Sequence, residues 1–468
     1  MGLINTIKGW LNMIFDSKAR ELFDVKTITS SELTQFIKYC SNIYRGVPEW
    51  VDEDDNIKTI NFAKSICSET ARLATLAINV KIDGQTKADW MQEQLDNIYF
   101  QLRTWVEYGC AYGTIILKPS LDSIDVVLPG DYIVTEDKNG KISAVVFITR
   151  AQVKDDFYTR FEYHRFDENG VYNISNRCFI GQKKDDLEKS VKIELTPWKG
   201  MSEDVSIDNL EGPLFGVFRT PGANTVEIGS PLGVPIFSDA IEELKDLDIA
   251  YSRNALEMER SKKIILLDSD RVQLNGKPPR TPQEIELAKK QMALPDYIQT
   301  VQGDGASSFY QEINPQLNTA ARIEYINTLL SQIGYKCGFS NGYFAFDAKT
   351  GLVTATQIEA DQQRTIQFIK DVRDKLEDCI DAVMYAVSAF ADLYNTVPSG
   401  EYEITYDFGD ITYNIEEDRN RWYQYVAAGQ VPAWMYFNKF EGMSEEEAKA
   451  MQEEMENKAK EAMQQGLF

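Results

Sequence analysis

From Thr356 to Tyr394 the chain runs without a glycine or a proline. Within it Ile369, Val372, Leu376, Ile380, Val383, Val387 and Phe390 recur every three or four residues, the spacing of one helical face. A helix of this length spans roughly 60 Å at 1.5 Å per residue, whereas an average globular helix has about 11–12 residues. Any fold must therefore lay other elements along one side of a rod. The pattern predicts an architectural beam, the kind of element that builds assemblies.

The chain before the beam reads as helix, insert, helix and loop. Phe237, Ile241, Leu244, Leu247, Tyr251, Leu256 and Met258 lie on or near one helical face. Ile264 to Leu267 reads as a strand, and Thr281-Pro282-Gln283-Glu284 joins capping-box spacing to a proline at the first helical position, marking a short helix that ends before Pro295. Asp296 to Ile313 reads as strand and turn. A second helix carries Ile323, Ile326, Leu330 and Ile333 and stops at Gly334 or Gly338. Gly342 and Gly351 then bound a loop with Tyr343, Phe344 and Phe346.

The first half mixes both periods. Ser30 or Ser31 caps a helix through Leu33, Phe36 and Ile37. Phe62, Ile66, Leu73, Leu76 and Val80 mark another, and Leu95, Ile98, Leu102 and Trp105 a third that stops at Gly109. Thr114 to Lys118 is a short apolar strand. Tyr132 to Phe147 reads as a hairpin turning at Asn139-Gly140, with a second hairpin at Asn169-Gly170. Gly212 to Pro235 is rich in glycine and proline and reads as irregular connection. After the beam, Glu401 to Tyr406 alternates as a strand does. Two helices follow around Glu417–Ala428 and Ser444–Met463, the second opened by Ser444 and Glu447, with Met451 and Met455 expected to pack and its glutamates solvated.

The N-terminus has several readings. Leu3, Ile4, Ile7, Leu11, Ile14 and Phe15, with Trp10 beside them, form an apolar stripe, read first as an arm packing on its own or a neighbouring subunit. A membrane-surface anchor and a myristoylation signal at Gly2 are alternatives. A signal peptide is not expected, because Lys8, Asn12 and Asp16 interrupt the apolar stretch. No run of about 18 apolar residues crosses a membrane.

Composition excludes several function classes. The 73 Asp and Glu against 49 Lys and Arg leave a formal charge of −24, which disfavours tight static binding of nucleic acid but not its transient passage. The six cysteines are scattered without a C-x-x-C pair and read as reduced thiols. His164 is the only histidine, so a site needing two histidine ligands cannot form within one chain. It lies in an alternating strand pattern and reads as structural. Neither nucleotide-binding glycine fingerprint occurs, and Gly303-Asp304-Gly305-Ala306-Ser307 lacks the lysine of a phosphate loop. Asp52-Glu53-Asp54-Asp55 lacks the alternation of a calcium loop and reads as a solvated turn. No catalytic residue, cofactor or metal site is expected, so the chain is read as a non-enzyme.

Gly229-Ser230-Pro231-Leu232-Gly233 before the first helix and Thr354-Ala355-Thr356-Gln357-Ile358-Glu359 at the start of the beam, set in this order of elements, resemble the portal proteins of tailed bacteriophages, of the siphophage type. Members of that family often carry Glu where this chain has Gln357. The resemblance implies an α+β, mainly helical fold. Its parts would be an N-terminal amphipathic arm (1–20), a wing (21–235), stem helix 1 (236–260), a clip (261–317), stem helix 2 (318–338), a tunnel loop (339–355), the long wing helix (356–394), a wing strand region (395–413) and a crown (414–468). It also implies a dodecameric homo-oligomeric ring at one capsid vertex, assembled in the host cytoplasm, through which double-stranded DNA is packaged and ejected. Its partners would be the terminase large subunit, which supplies ATP hydrolysis, a head-tail adaptor, and capsid and scaffold proteins. The channel loop would carry Asn341, Tyr343, Phe344, Phe346 and Lys349. Those aromatics either line a channel or pack on the core. The alternatives are another capsid or connector component without a channel, or a carboxylate-dependent hydrolase suggested by acidic abundance alone.

Overall fold

A computed structural model of the chain describes residues 14–51, 56–120, 123–260, 264–268, 277, 281–291, 298–301, 310–313, 319–345, 355–409, 415–428, 430–441 and 443–464. It divides into two compact units, one of Met1–Thr75 with Val80–Tyr406 and the other of Leu76–Asn79 with Asp407–Phe468.

The first unit begins with helices α1 (residues 14–23), α2 (Ser31–Tyr44) and α3 (Phe62–Ala74). Ser30 caps α2, its hydroxyl accepting from the Leu33 N–H. Strand β1 (Asn79–Gly84), helix α4 (Thr86–Ile98), a 3-10 turn and helix α5 (Leu102–Tyr112) follow. Three expectations need correction here, the first being that the one helix read through Leu95, Ile98, Leu102 and Trp105 is two, α4 and α5, broken by the 3-10 turn. Helix α3 ends at Ala74 and Val80 lies in β1. Gly109 does not end α5, which continues to Tyr112. It sits inside the helix because a Cβ there would lie 2.2 Å from the Phe218 ring. The stop is Gly113, at φ +81°.

Strands β2 (Thr114–Pro119) and β3 (Ile124–Val127) lead into a meander of β4 (Tyr132–Lys138), β5 (Lys141–Val153), β6 (Asp156–Phe166), β7 (Tyr172–Gly181) and β8 (Lys189–Val191), with β9 (Asp204–Ile207) also on β7. Both predicted hairpins form. Lys138 pairs with Lys141 across Asn139 and Gly140, whose φ angles of 54° and 76° are those a tight hairpin turn requires. At the second, the Asp167 carboxylate accepts from the N–H groups of Asn169 and Val171. Alternate residues of β4 and β5 are buried on opposite sides. Val134, Val145 and Phe147 meet Leu33 and Ile37 of α2, while Ile133, Val146 and Ile148 meet Phe15 and Ala19 of α1. The stretch Gly212 to Pro235 is not wholly irregular: Gly216–Arg219 forms β10, antiparallel to β2.

Helix α6 (Ile241–Arg260) follows a 3-10 turn at Ser238–Ala240. Phe237, Leu244 and Leu247 are buried, but Tyr251 is exposed, against expectation. Then come β11 (Ile264–Asp268), helix α7 (Pro282–Gln291), β12 (Ile298–Val301) and β13 (Tyr310–Ile313). The Thr281 hydroxyl accepts from the Glu284 N–H at 3.2 Å, as the capping pattern anticipates. β11 is parallel to β12 and antiparallel to β13, so α7 is the crossover of a small β-α-β unit. Helix α8 (Thr319–Lys336) carries Leu330 and Ile333 inward and Ile323 outward.

The beam is α9 (Ala355–Tyr394), 40 residues long. Ile369, Val372, Leu376, Ile380, Val383 and Val387 are all buried, each contributing about 1.5–3 kcal/mol by leaving water. Polar clamps fix its path. Arg373 donates to the carbonyls of Leu73 and Ala74 at the end of α3, and Lys87 of α4 pairs with Asp392 at 2.7 Å. The Tyr385 hydroxyl accepts from the Glu211 N–H at 2.8 Å. Strand β14 (Tyr402–Asp407) pairs with β1 and shows the predicted alternation.

The second unit contains α10 (Ile415–Ala427), α11 (Ala433–Phe440) and α12 (Glu445–Gln464). The Ser444–Glu447 capping box forms, each residue bonding the other's backbone N–H. Met451 is exposed, so the expected packing there does not occur, and the side chain of Met455 lies outside the described residues. Helix α11 had no counterpart in the periodicity.

Candidate functional site

Helices α6 and α8 pack together, and their ion pairs fix their sense. Lys336 near the end of α8 meets Glu243 near the start of α6 at 2.5 Å, while Arg322 near the start of α8 meets Glu257 near the end of α6. The pair is therefore antiparallel. α6 is also tied to the chain before α3: Asp248, almost fully buried, accepts from the Trp50 indole at 2.9 Å and the Ile60 N–H at 3.0 Å, and the Ser252 hydroxyl accepts from the Lys58 N–H. Those acceptors are what let a carboxylate sit in the interior.

After α8 the chain turns at Gly338, with φ +94°, and residues 339–345 are anchored on two sides. Ser340 and Thr365 of α9 exchange backbone-to-hydroxyl bonds in both directions, at 2.8 and 3.3 Å. Phe339 is fully buried, its ring 4.8–5.8 Å from those of Tyr343, Phe344 and Phe368. Phe344 also meets Phe62 of α3 edge-on at 5.2 Å. The Tyr343 hydroxyl donates to Glu69 of α3, which Arg72 grips with two further bonds of 2.8 and 2.7 Å. The Arg72 bonds hold the Glu69 carboxyl below its ordinary range despite partial burial. Burial, then the bond to Glu69, pushes the Tyr343 phenol up to about 12.

Of the residues expected in the channel loop, Tyr343 and Phe344 thus stand half-buried against α3. Asn341 is exposed and lines an open groove of about 1270 Å³ with Glu243, Asn327, Tyr335 and Ala345. Phe346 and Lys349 lie outside the described residues, as do Asp52–Asp55 and Gly303–Ser307. Asp248, Glu69 and Thr365, which hold these elements in place, were not singled out from the sequence. Their partners are distant in the chain, and no local pattern marks them.

The lone histidine sits in a closed ionic cluster. Glu162 binds Lys118, Arg160 at 2.9 Å and His164 Nε2 at 3.1 Å. His164 Nδ1 lies 2.9 Å from the Tyr172 hydroxyl, which accepts from the Leu214 N–H at 3.0 Å. All of these bonds are satisfied when Tyr172 donates to Nδ1 and Nε2–H donates to Glu162, which makes the imidazole neutral. Burial lowers the His164 pKa accordingly, while burial of Glu162 is outweighed by Lys118, His164 and Arg160, which hold its carboxyl well below the usual range. His164, Tyr172 and Arg160 are almost fully buried, Glu162 and Lys118 keep only a small exposed fraction, and the cluster's role is structural. All six cysteines are free and buried. Among the described residues no group of three His, Cys, Asp or Glu is placed to hold a metal ion. Nor is any described helix long and apolar enough to cross a membrane.

The model of the family described as phage portal protein, SPP1 Gp6-like, matches residues 22–461. The chain belongs to the phage portal protein family. Portal proteins of this family are structural and not catalytic, so the hydrolase alternative falls away, and the chain functions as a ring-forming portal in capsid assembly and DNA passage. No curated protein sequence matches it significantly. Among solved structures, it is similar to a chain of the virion of a native gene transfer agent particle, with 10% identity, TM-score 0.43, and coverage of 88% of this chain and 94% of that one. A chain from the neck of a native gene transfer agent particle, computed with C12 symmetry, has 10% identity, TM-score 0.36, and coverage of 81% and 89%.

Proposed function

We propose that the portal formed by this chain is a dodecameric conduit at one capsid vertex of the virion, in which α6 and α8 are the paired stem helices and residues 261–317 the clip. The antiparallel α6–α8 pair carries this reading: it joins the β11–α7–β12 unit at one end to the anchored turn at 339–345 at the other. Residues 21–235, α9 and residues 395–413 are the wing, residues 339–355 the tunnel loop and residues 414–468 the crown. Double-stranded DNA passes through during packaging and ejection. A terminase large subunit, a head-tail adaptor, and capsid and scaffold proteins are the partners. Tyr343 and Phe344 act as the loop's foot on α3, leaving Asn341, Phe346 and Lys349 for the channel side. The chain's formal charge of −24 suits this use, because a channel that held phosphates tightly would stall the strand.

Deletion of residues 346–349, which keeps the Tyr343 and Phe344 anchors, tests the loop assignment. Rings of normal size that package DNA poorly are expected. Packaging at the parental rate would remove the loop from the mechanism.

A further inference from the structure

Helices α10 to α12 form one layer, with α11 packing against both of its neighbours. A single layer of helices buries little, and stable domains stack at least two. Among the described residues of these helices only Ala448 is buried. Helix α11 is mostly apolar, with Trp434, Met435, Tyr436, Phe437 and Phe440 among its eight residues, and none is buried. On α10, Tyr423 is 64% and Tyr425 41% exposed, and Met435 of α11 is 37% exposed. Within the layer Trp422 meets Phe440 and Tyr423 meets Tyr436 edge-on at 6.2 and 6.4 Å, Tyr436 meets Phe440 at 5.2 Å, and Lys439 lies 4.6 Å over the Trp422 ring, yet none of these rings is buried. Exposed Tyr and Met, with half-buried Trp, beside arginine is the composition of an interface core.

The charges indicate the occupant. Arg421 and Tyr425, four residues apart, share one face of α10, and Arg421 is exposed with no ion pair among the described residues. Glu446 and Glu453, seven apart on α12, are exposed on one face, where the Lys449 between them is already paired with Glu445 and lies over the Trp434 ring. One copy thus carries an aromatic surface with a cation unpaired among the described residues and, on a different helix, a carboxylate surface. Two unlike surfaces on one subunit are what a head-to-tail ring contact uses.

We propose that the α10–α11 surface of one subunit seats on the acidic face of α12 of the neighbouring copy, so that the crown acquires its second layer only in the ring. The inference rests on the ring-forming reading above. It adds that the terminal unit is completed by assembly.

The test uses the full-length chain. Hydrogen exchange of α11 amides is compared between assembled rings and dissociated subunits, and Tyr425→Glu and Met435→Glu, both at exposed positions, are assayed for assembly. Slower α11 exchange in the ring is expected, together with a rise of about tenfold or more in the concentration needed for half-assembly of each variant, the size of a strong interface contact. Equal α11 exchange in ring and subunit, or unchanged assembly of both variants, overturns the proposal. So does protection that appears only when another virion component is added. Wild-type rings with unprotected α11 refute this inference alone, whereas a wild-type chain that forms no ring refutes the portal reading as well.

Discussion

Gly216→Ala tests how closely the beam is built against strand β10. Gly216 lies on β10 where that strand crosses α9, and a Cβ there would stand 2.4 Å from the Cys379 carbonyl oxygen, 3.0 Å from the Val383 nitrogen and 3.1 Å from the Val383 Cβ. An unstrained carbon–oxygen contact needs about 3.3 Å, so strand and helix must separate by about 1 Å. Neither yields readily: β10 is held by its four-residue register with β2, and α9 by Arg373, Tyr385 and the Lys87–Asp392 pair. Overpacking of this kind costs about 3 kcal/mol, offset by about 0.7 kcal/mol from the reduced freedom of the unfolded chain. The net loss of about 2 kcal/mol corresponds to a roughly 30-fold rise in local opening. Hydrogen exchange is the suitable assay, because a chain of this size need not unfold in one step. Amides of β2 from Ile115 to Leu117, which pair with β10, should exchange about 30-fold faster in the variant. Gly200→Ala is the control, since no atom lies within 4 Å of its Cβ position. If Gly216→Ala protects β2 as well as the control does, the close approach of strand and beam is refuted.

Two further outcomes follow from buried groups. Leu376→Asp or Ile380→Asp places an unpaired carboxylate in the interior of the α9 face at a cost of several kcal/mol, so the variant should be recovered as aggregate and not as folded subunit or ring; soluble, normally assembling protein would show that this face is wrongly assigned. The second concerns acid sensitivity. His164 is depressed in the folded chain, so the unfolded chain binds the extra proton first, and stability falls as pH drops below the ordinary value of 6.5. Glu162 is also depressed, and its contribution falls away below 4.5. Denaturation midpoints measured against pH should therefore decline in two stages, and His164→Gln should remove the upper one. A midpoint that is flat from pH 7 to about 5 in the parent chain would contradict the neutral, buried assignment.

What could be read from the sequence was what local chemistry determines. The beam was legible because its apolar face, Ile369 to Phe390, repeats over about six turns of helix, and the two hairpins because Asn139-Gly140 and Asn169-Gly170 carry turn geometry in the residues themselves. Gly109 was misread because the same residue type serves two purposes: it permits the close approach of Phe218 inside α5 and does not end the helix. Strand β10 was invisible because its four residues become a strand only by pairing with β2, about a hundred positions earlier. Helix α11 has only eight residues, fewer than the window over which a helical period can be read from sequence. In the candidate channel region the two helices were legible from their period and the turn at Gly338 from glycine placement. The Tyr343–Glu69 bond and the Ser340–Thr365 exchange were not, because each joins segments far apart in the chain.

The central claim is that copies of this chain close into a ring around an opening. Electron microscopy of the purified full-length protein, with native mass measured on the same preparation, tests it most directly. Closed rings with a central hole, dodecameric by mass and symmetry, are the predicted result. Particles that remain monomeric at every concentration, or assemblies without an opening, would contradict it.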